Sequence, residues 1–176
     1  MERNKTKCPF IIKKSRIEGR GAFATRLIAK GELICFMREK EISVSQLKRL
    51  YTRGRERYSD PLQVRESRYV DLDKPYVLIN HSCSPDATIL TGRRLTAVKD
   101  IKPEEEIVYD YSFTEWSNDR VWKGWKDWTI PCHCGSSHCR GSIEEFQFLP
   151  QGVQKRAIRQ KLVPNYIVRK YRSRRD

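Results

Sequence analysis

The stretch that decides the fold is INHSCSP at residues 79–85, and a cysteine-rich stretch, CHCGSSHCRG, begins further along at Cys132. The second stretch places Cys132, Cys134 and Cys139 at Cys-x-Cys-x4-Cys spacing. A structural zinc site takes four ligands in tetrahedral geometry and favours thiolates. Because the trio is one thiol short, Cys83 in the first stretch can complete the set. A shared metal would then hold two distant segments together.

Other uses of the cysteines stay open. The chain has six of them, enough to pair as disulfides in an exported protein. Residues 1–7 are polar and lack the apolar core of a secretion signal, so metal binding is the favoured interpretation. His133 and His138 lie inside the trio and are the residues most able to replace a thiol. Four thiols leave no need for His81 as a ligand.

Length and hydropathy narrow the class of protein. With 176 residues, 38% of them hydrophobic and 33% charged, the chain fits one globular domain with a wet surface. No apolar run approaches the roughly 18 residues that a membrane span needs, so a membrane is not an expected partner. These features predict an intracellular protein, in the nucleus or on chromatin of a eukaryote, or in the cytoplasm or as a secreted effector of a bacterium.

The positive charge is large and uneven. Lys and Arg outnumber Asp and Glu by 36 to 22, a formal net charge of +14. Residues 151–176 alone hold nine Lys or Arg and one acid, for a charge of +8. Such a surface favours acidic partners, and we expect DNA or the nucleosome to contact this basic C-terminus. Charge alone does not identify the partner. The alternatives are an acidic protein partner, or a solvated tail that binds no partner.

Short strand patterns dominate the chain. Residues 87–98 are typical of a hairpin, and SVSQ at residues 43–46 is a capping box that predicts a short helix. Residues 52–68 are highly charged and predict an exposed loop. Apolar positions between 153 and 162 form a weak helical stripe that ends at Pro164. Many short strands and few helices predict a mostly β (α+β) fold.

Four motifs in this order carry a family resemblance: GRGAFA at residues 19–24, INHSCSP at 79–85, EEIVYDY at 105–111, and the cysteine trio. The arrangement resembles the SET-domain protein lysine methyltransferases with a post-SET zinc segment, in the form of a compact microbial single-domain member. The resemblance implies a SET fold of short twisted β-sheets. It also implies knot-like C-terminal threading, in which the Asn-His segment crosses the strand of Tyr109.

The same resemblance implies three parts of the chain. They are a SET domain at residues 8–114, a Trp-rich segment and post-SET zinc lobe at 115–145, and a basic C-terminal extension at 146–176. Trp122 or Trp125 is expected to close over the substrate channel as a lid.

The resemblance places S-adenosylmethionine in a site bordered by the backbone of Gly19, Arg20 and Gly21. The Asn80 amide would hydrogen-bond the amino acid end of this cofactor, and His81 would lie beside its adenine. A lone Gly-x-Gly is usually only a turn, because glycine tolerates dihedrals that other residues avoid. The order of the four motifs is what favours a cofactor-binding role for these residues.

The resemblance also implies an active-site tyrosine, Tyr111, which borders the cofactor as well. The four cysteines named above match the family's shared zinc site. Tyr109 takes the position where Phe or Tyr influences how many methyl groups are added. A hydroxyl there would occupy space and hold a water, which predicts a monomethyl product. From the residues alone, the favoured interpretation of both tyrosines is that they are packed strand aromatics, and only the order of the motifs favours a functional role.

The expected activity is methyl transfer from S-adenosylmethionine to a lysine side chain, with a histone or histone-like DNA-binding protein as the expected substrate. Aromatic walls suit the aliphatic lysine stem, and their faces favour a nearby cation. Two alternatives remain: a catalytically silent SET module that binds chromatin, and a small zinc-dependent nucleic-acid binder. The chain departs from the family at Phe36 or Met37, where a tyrosine is common, and at Asp86, where Asn is frequent.

Overall fold

The computed structural model of the chain describes residues 8–54, 60–117 and 128–174. Within these segments the chain forms eleven short strands and three α-helices. The strands are β1 (Phe10–Lys14), β2 (Arg20–Ala24), β3 (Leu33–Phe36), β4 (Glu41–Ser43), β5 (Leu62–Arg65), β6 (Arg68–Val70), β7 (Ala87–Leu90), β8 (Arg94–Ala97), β9 (Glu106–Ile107), β10 (Thr129–Pro131) and β11 (Ser142–Glu144). The helices are α1 (Val44–Thr52), α2 (Gln151–Arg159) and α3 (Asn165–Ser173). The prediction of a mostly β (α+β) fold is confirmed.

Four small antiparallel sheets form the body of the protein. Their hydrogen-bonded orders are β1-β2-β9, β3-β8-β7, β4-β6-β5 and β10-β11. One hydrophobic core draws on the first three sheets and includes the fully buried Ala22, Leu95 and Ile107. The hairpin predicted for residues 87–98 is confirmed, because β7 pairs with β8 across a turn in which Gly92 has a φ of 82°. Glycine reaches this left-handed conformation without steric cost.

The capping box is confirmed at the start of α1. Ser43 Oγ accepts a hydrogen bond from the Gln46 N–H, and Gln46 Oε1 accepts one from the Ser43 N–H at 2.8 Å. This reciprocal pair satisfies two backbone donors that the first turn of a helix leaves free. The apolar side of α1 buries Val44 and Leu47 against Tyr69 of β6.

The prediction of an exposed loop at residues 52–68 is wrong for the last part of this range, because β5 begins at Leu62. Gln63 is only 2% exposed, since its side chain bonds both backbone groups of a distant residue. Its Oε1 accepts from the Trp116 N–H at 2.7 Å, and its Nε2 donates to the Trp116 carbonyl at 3.1 Å. A polar residue with such a partner can be buried without the cost of an unsatisfied amide. The local pattern contains no sign of this partner.

The basic residues after Pro150 fold back onto the segment that contains Phe113 and Trp116. The helical stripe after residue 150 corresponds to α2, but the second helix, α3, was not predicted. Both helices pack on a second core that contains Phe113, Trp116 and Phe146. The buried Tyr166 of α3 donates a hydrogen bond to the Gln63 carbonyl at 3.0 Å. The apolar face of α3 is thus anchored, while many basic side chains of both helices stay exposed.

Two motif segments pair side by side in the middle of the protein. The Tyr109 N–H donates to the Asn80 carbonyl at 3.2 Å, and the Ser82 N–H donates to the Tyr109 carbonyl at 3.1 Å. His81 and Ala87 both form parallel bridges with Tyr109. This parallel pairing is the contact on which the expected knot-like threading depends. It brings the Asn-His segment directly beside the Tyr-Asp-Tyr segment.

Asp86→Asn is expected to stabilise the protein at neutral and higher pH. The Asp86 carboxylate accepts a hydrogen bond from the Val108 N–H at 2.9 Å, yet burial raises its pKa to about 7. This folded-state pKa lies above the unfolded value of about 4. As pH rises from about 4 to about 7, the unfolded chain releases the Asp86 proton while the folded protein retains it, so the free energy of unfolding falls. Urea unfolding should show a gain from Asp86→Asn that is smallest near pH 4 and reaches roughly 2–4 kcal/mol by pH 8.

The matched control is Asp100→Asn. Asp100 is an exposed aspartate that also accepts a backbone hydrogen bond, from the Lys30 N–H at 2.8 Å. Its replacement should change stability little and without the same pH trend. A gain from Asp86→Asn that is equal at pH 4 and pH 8 would contradict the burial argument.

Candidate cofactor cavity and thiol cluster

Thiols from the two predicted segments meet in one cluster. Cys83 Sγ lies 3.7 Å from Cys132 Sγ, which lies 3.6 Å from Cys139 Sγ. Zinc–sulfur bonds of about 2.3 Å at tetrahedral angles would place neighbouring sulfurs about 3.8 Å apart. Donor atoms of His81, Cys83, Cys132 and Cys134 all lie within 4.8 Å of one another. The donors and their spacing therefore fit one tetrahedral zinc ion.

His81 and Cys139 compete for the fourth position around such an ion. His81 Nε2 lies 3.3 Å from Cys83 Sγ, while its other ring nitrogen, Nδ1, accepts a hydrogen bond from the Tyr111 N–H at 3.2 Å. Burial lowers the pKa of His81 to about 4, so the ring is neutral at pH 7. A neutral imidazole with an accepting Nδ1 carries its proton on Nε2. His81 then donates to the Cys83 sulfur, which favours Cys139 as the fourth ligand.

An ion pair that the sequence analysis missed also joins the two segments. Arg140 Nη1 lies 2.7 Å from Asp110 Oδ2, and Nη2 lies 2.9 Å from Asp110 Oδ1. Asp110 is 1% exposed and immediately precedes Tyr111. A bidentate guanidinium–carboxylate contact is both strong and geometrically specific. The cysteine-rich segment is therefore held against the Tyr111 turn by Arg140 as well as by any metal.

A cavity of about 210 Å³ borders the thiol cluster. Its lining includes Gly19, Arg20, Asn80, His81 and Tyr111. These residues come from three separate motifs, and the structure brings them to one place as the resemblance implies. Cys134 and His133 also line this cavity, so the cysteine-rich segment forms one of its walls.

Asn80 is held in place by acceptors from two directions. Its Nδ2 lies 3.2 Å from both the Glu18 and the Arg20 carbonyls, and 2.7 Å from Glu106 Oε1. Within the described residues its amide oxygen accepts no hydrogen bond, so it stays available to a donor of a ligand. Glu106 therefore orients Asn80, a role that was missed because the run of three glutamates is typical of a charged turn.

Gly21 does not line the cavity but lies behind it. A Cβ at this position would come within 1.9 Å of Glu106 Oε1. The absence of a side chain thus makes room for the carboxylate that orients Asn80. Gly19 differs, since it lines the cavity and has a φ of 43°, a left-handed conformation that favours glycine. The two glycines of the motif therefore serve different physical purposes.

Two tyrosines form an aromatic wall beside the cavity. The Tyr111 hydroxyl donates to the Ile79 carbonyl at 2.8 Å, and its ring centroid lies 4.8 Å from that of Tyr109. The His81 ring packs edge-on against Tyr111 at 5.3 Å. Tyr109 is 5% exposed, and its hydroxyl has no hydrogen-bond partner in the described part of the chain. One phenol is thus fixed by a backbone acceptor, and the other is free to bind water.

The carboxylates near Tyr111 favour a positively charged group on that side of the cavity. Burial raises the pKa of Tyr111, and the nearby carboxylates of Glu18, Asp60 and Glu106 raise it further. The phenol therefore stays neutral at pH 7 and keeps its proton for the Ile79 carbonyl. The same carboxylates would stabilise a sulfonium or an ammonium group placed beside them. The residues present thus fit S-adenosylmethionine, whose sulfur and amino groups are both cationic.

Comparison with known proteins identifies the family. A family model described as SET domain matches residues 19–112, which is more than half of the chain. The chain belongs to the SET-domain family. The match spans the GRGAFA motif, the Asn-His segment and Tyr111, so it includes the aromatic wall and part of the cavity lining, while the cysteine-rich wall of the cavity lies outside it.

Several relatives are named as histone-lysine N-methyltransferases. The H3 lysine-4 specific enzyme of Saccharomyces cerevisiae is 29% identical over 153 residues, covering 80% of this chain and 14% of the yeast protein. The corresponding enzyme of Emericella nidulans is 30% identical, covering 79% of this chain and 12% of its own. The human histone-lysine N-methyltransferase SETMAR is 28% identical, over 74% of this chain and 22% of its own. The chain thus spans less than a quarter of each of these relatives.

Solved structures confirm the predicted SET fold. KRYPTONITE, in complex with mCHH DNA, an H3(1-15) peptide and SAH, gives a TM-score of 0.57 at 20% identity, over 78% of this chain and 30% of its own. The ctPRC2 structure, in an autoinhibited conformation bound to S-adenosylmethionine, gives a TM-score of 0.51 at 25% identity. The match covers 62% of this chain and 16% of the ctPRC2 chain.

The tryptophan lid expected from Trp122 or Trp125 lies outside the described residues. Within the described segments, none of the helices combines the length and the apolar character that crossing a bilayer would require.

Proposed function

We propose that the protein is a protein-lysine N-methyltransferase that uses S-adenosylmethionine. The observation that carries this proposal is the shared cavity, in which Asn80, Gly19 and Tyr111 lie together beside acidic groups. The names of the relatives supply the reaction class. The cysteine cluster would hold one zinc ion that shapes the wall of this cavity through Cys134. Within the proposal, residues 8–114 form the SET domain, 115–145 the zinc lobe and 146–176 the basic extension.

The reaction needs orientation more than it needs a strong base. A neutral lysine amine displaces the methyl group from the sulfonium, so a carbon–nitrogen bond forms, the carbon–sulfur electron pair stays on sulfur, and the extra amine proton passes to water. The Asn80 amide oxygen would accept from the amino group of the donor. The Tyr111 oxygen, fixed by its bond to Ile79, would accept from the incoming amine. Catalysis would then come mainly from positioning and electrostatics.

A histone or a histone-like protein is the proposed substrate, because the relatives named above carry histone lysine in their names. A role on chromatin, and in the nucleus where there is one, follows from the same argument. A methyl-transfer assay with isotopically labelled donor tests the proposal on free histones, nucleosomes and cell lysate. We expect label on protein lysine. A chain that binds SAH in calorimetry yet labels none of these substrates would instead be the catalytically silent chromatin-binding module.

Tyr109→Phe is expected to shift the product from monomethyl- towards di- and trimethyl-lysine. The Tyr109 hydroxyl has no partner in the described part of the chain, so its removal breaks no protein hydrogen bond and frees space for a methyl group. Stability should change by less than about 1 kcal/mol, since only a water contact is lost. Mass spectrometry of the methylated peptide measures the distribution. An unchanged distribution would show that Tyr109 does not set the number of methyl groups.

A further inference from the structure

A second and larger cavity lies on another side of the thiol cluster. This groove has a volume of about 640 Å³ and shares no lining residue with the cofactor cavity. Cys83 lines the groove, whereas Cys134 lines the cofactor cavity, so the cluster stands between the two. A ligand in the groove would therefore leave the cofactor cavity accessible.

Four basic residues line this groove, and its lining contains no Asp or Glu. They are Lys30, Lys99, Arg156 and Lys161, and all four are exposed. None of them forms an ion pair with a carboxylate of the described residues. Cations without counterions repel one another, and an anion placed among them relieves this repulsion.

The groove exists only because the C-terminal extension is folded. Lys30 and Lys99 belong to the SET segment, whereas Arg156 lies on α2 and Lys161 just after it. The extension is held against the SET segment by the core around Phe113, which itself lines the groove. The extension is therefore one wall of a built surface rather than a free tail.

Two acidic residues, Asp86 and Asp100, flank the hairpin of β7 and β8, and the charge of Lys99 acts on Asp86. Asp86 turns its carboxylate to the Val108 N–H, and Asp100 accepts from the Lys30 N–H. Neither residue is part of the lining. The four lining cations are part of the net charge of +14 for the whole chain, so the wider surface does not offset the positive potential of the groove.

We propose that this groove binds the phosphate backbone of double-stranded DNA. Exposed cations on both walls of a wide groove suit a polymer with regularly spaced charges better than a single small anion. A second reason rests on the proposed function. A basic enzyme is repelled by a free basic substrate, but DNA to which that substrate is bound attracts both. Contacts of this kind position the enzyme without reading base sequence.

The test compares two variants that each remove four positive charges. The groove variant is K30Q/K99Q/R156Q/K161Q. The control variant replaces four exposed arginines of α1, its C-terminal cap and α3, none of which lines the groove: R49Q/R53Q/R169Q/R172Q. Fluorescence anisotropy with a short labelled DNA duplex gives Kd over a range of salt concentrations. Thermal unfolding and SAH calorimetry are run on all three proteins.

The groove variant should lose at least about tenfold in DNA affinity, and its slope of log Kd against log salt should fall by about two to four, because each lost phosphate contact removes close to one released counterion. The control should lose less than about threefold. Equal losses in both variants would overturn the assignment to the groove. Groove-dependent binding of polyglutamate or anionic vesicles that is as tight as DNA binding would overturn the assignment to DNA. Wild-type protein that binds SAH but not DNA would overturn this proposal alone, whereas failure to bind SAH would count against the proposed function.

Discussion

Cys132→Ser is expected to abolish zinc binding and to destabilise the protein by on the order of 5 kcal/mol, because structural zinc contributes its binding free energy to folding. Cys132 is the central thiol of the cluster, with Cys83 at 3.7 Å and Cys139 at 3.6 Å. Metal analysis of purified protein should give about one zinc per chain for wild type and near zero for the variant. Cys8→Ser is the matched control, since Cys8 lies outside the cluster.

The same experiment decides which residue is the fourth ligand. Cys139→Ser should lower the zinc content as Cys132→Ser does, whereas His81→Asn should retain the metal because the His81 Nε2 proton faces the Cys83 sulfur. A protein that keeps its zinc without Cys139 and loses it without His81 would reverse the assignment. Wild-type protein purified without any zinc would show that the thiol cluster is not a metal site.

The Arg140–Asp110 ion pair should limit how much of the structure is lost when zinc is absent. The guanidinium still reaches the buried carboxylate when the metal is gone, because neither group is a zinc ligand. The cysteine-rich loop should therefore lose its order around Cys132 and Cys134 first, while the main sheets keep their hydrogen bonds. In Cys132→Ser, the far-UV circular dichroism spectrum should therefore stay close to that of wild type, whereas the midpoint of thermal unfolding should fall clearly.

The parts of the fold that could be predicted are those specified by residues close together in the chain. The capping box of Ser43 and Gln46 lies within four residues, and the β7-β8 hairpin has its turn residues between its strands. The zinc-like spacing is likewise local for three of the four thiols. Only the contribution of Cys83 depended on a distant segment, and chemistry supplied that link because zinc requires a fourth donor.

The residues that were missed act through partners far away in the sequence. Glu106 orients Asn80 across 26 positions, and Arg140 pairs with Asp110 across 30. In a chain with 33% charged residues, such a side chain is indistinguishable from a solvated one until the fold brings its partner close. The helix α3 was missed for a related reason, because Tyr166, Ile167 and Val168 are a short apolar run followed by basic residues. Their burial depends on a core built by Phe113 and Phe146.

Tyr111→Phe is expected to lower methyl transfer by about 100-fold or more while the fold stays intact, since loss of one oriented hydrogen-bonding group at a reacting centre has effects of this size. The hydroxyl bonds the Ile79 carbonyl at 2.8 Å and stays neutral because burial raises its pKa. Its oxygen can therefore accept from the lysine amine but cannot act as a strong base at pH 7. Loss of one hydrogen bond should cost only about 1 kcal/mol of stability.

Tyr166→Phe is the matched control for this variant. Tyr166 is a buried tyrosine whose hydroxyl also bonds backbone carbonyls, those of Gln63 and Thr114, but it does not line the cofactor cavity. It should therefore lose similar or greater stability and keep its activity per folded molecule. Turnover with labelled donor and SAH affinity by calorimetry separate the two cases: Tyr111→Phe should retain SAH binding within about threefold while losing turnover. If both variants lose turnover only in proportion to unfolding, Tyr111 is only a packed core aromatic, and the catalytic assignment fails.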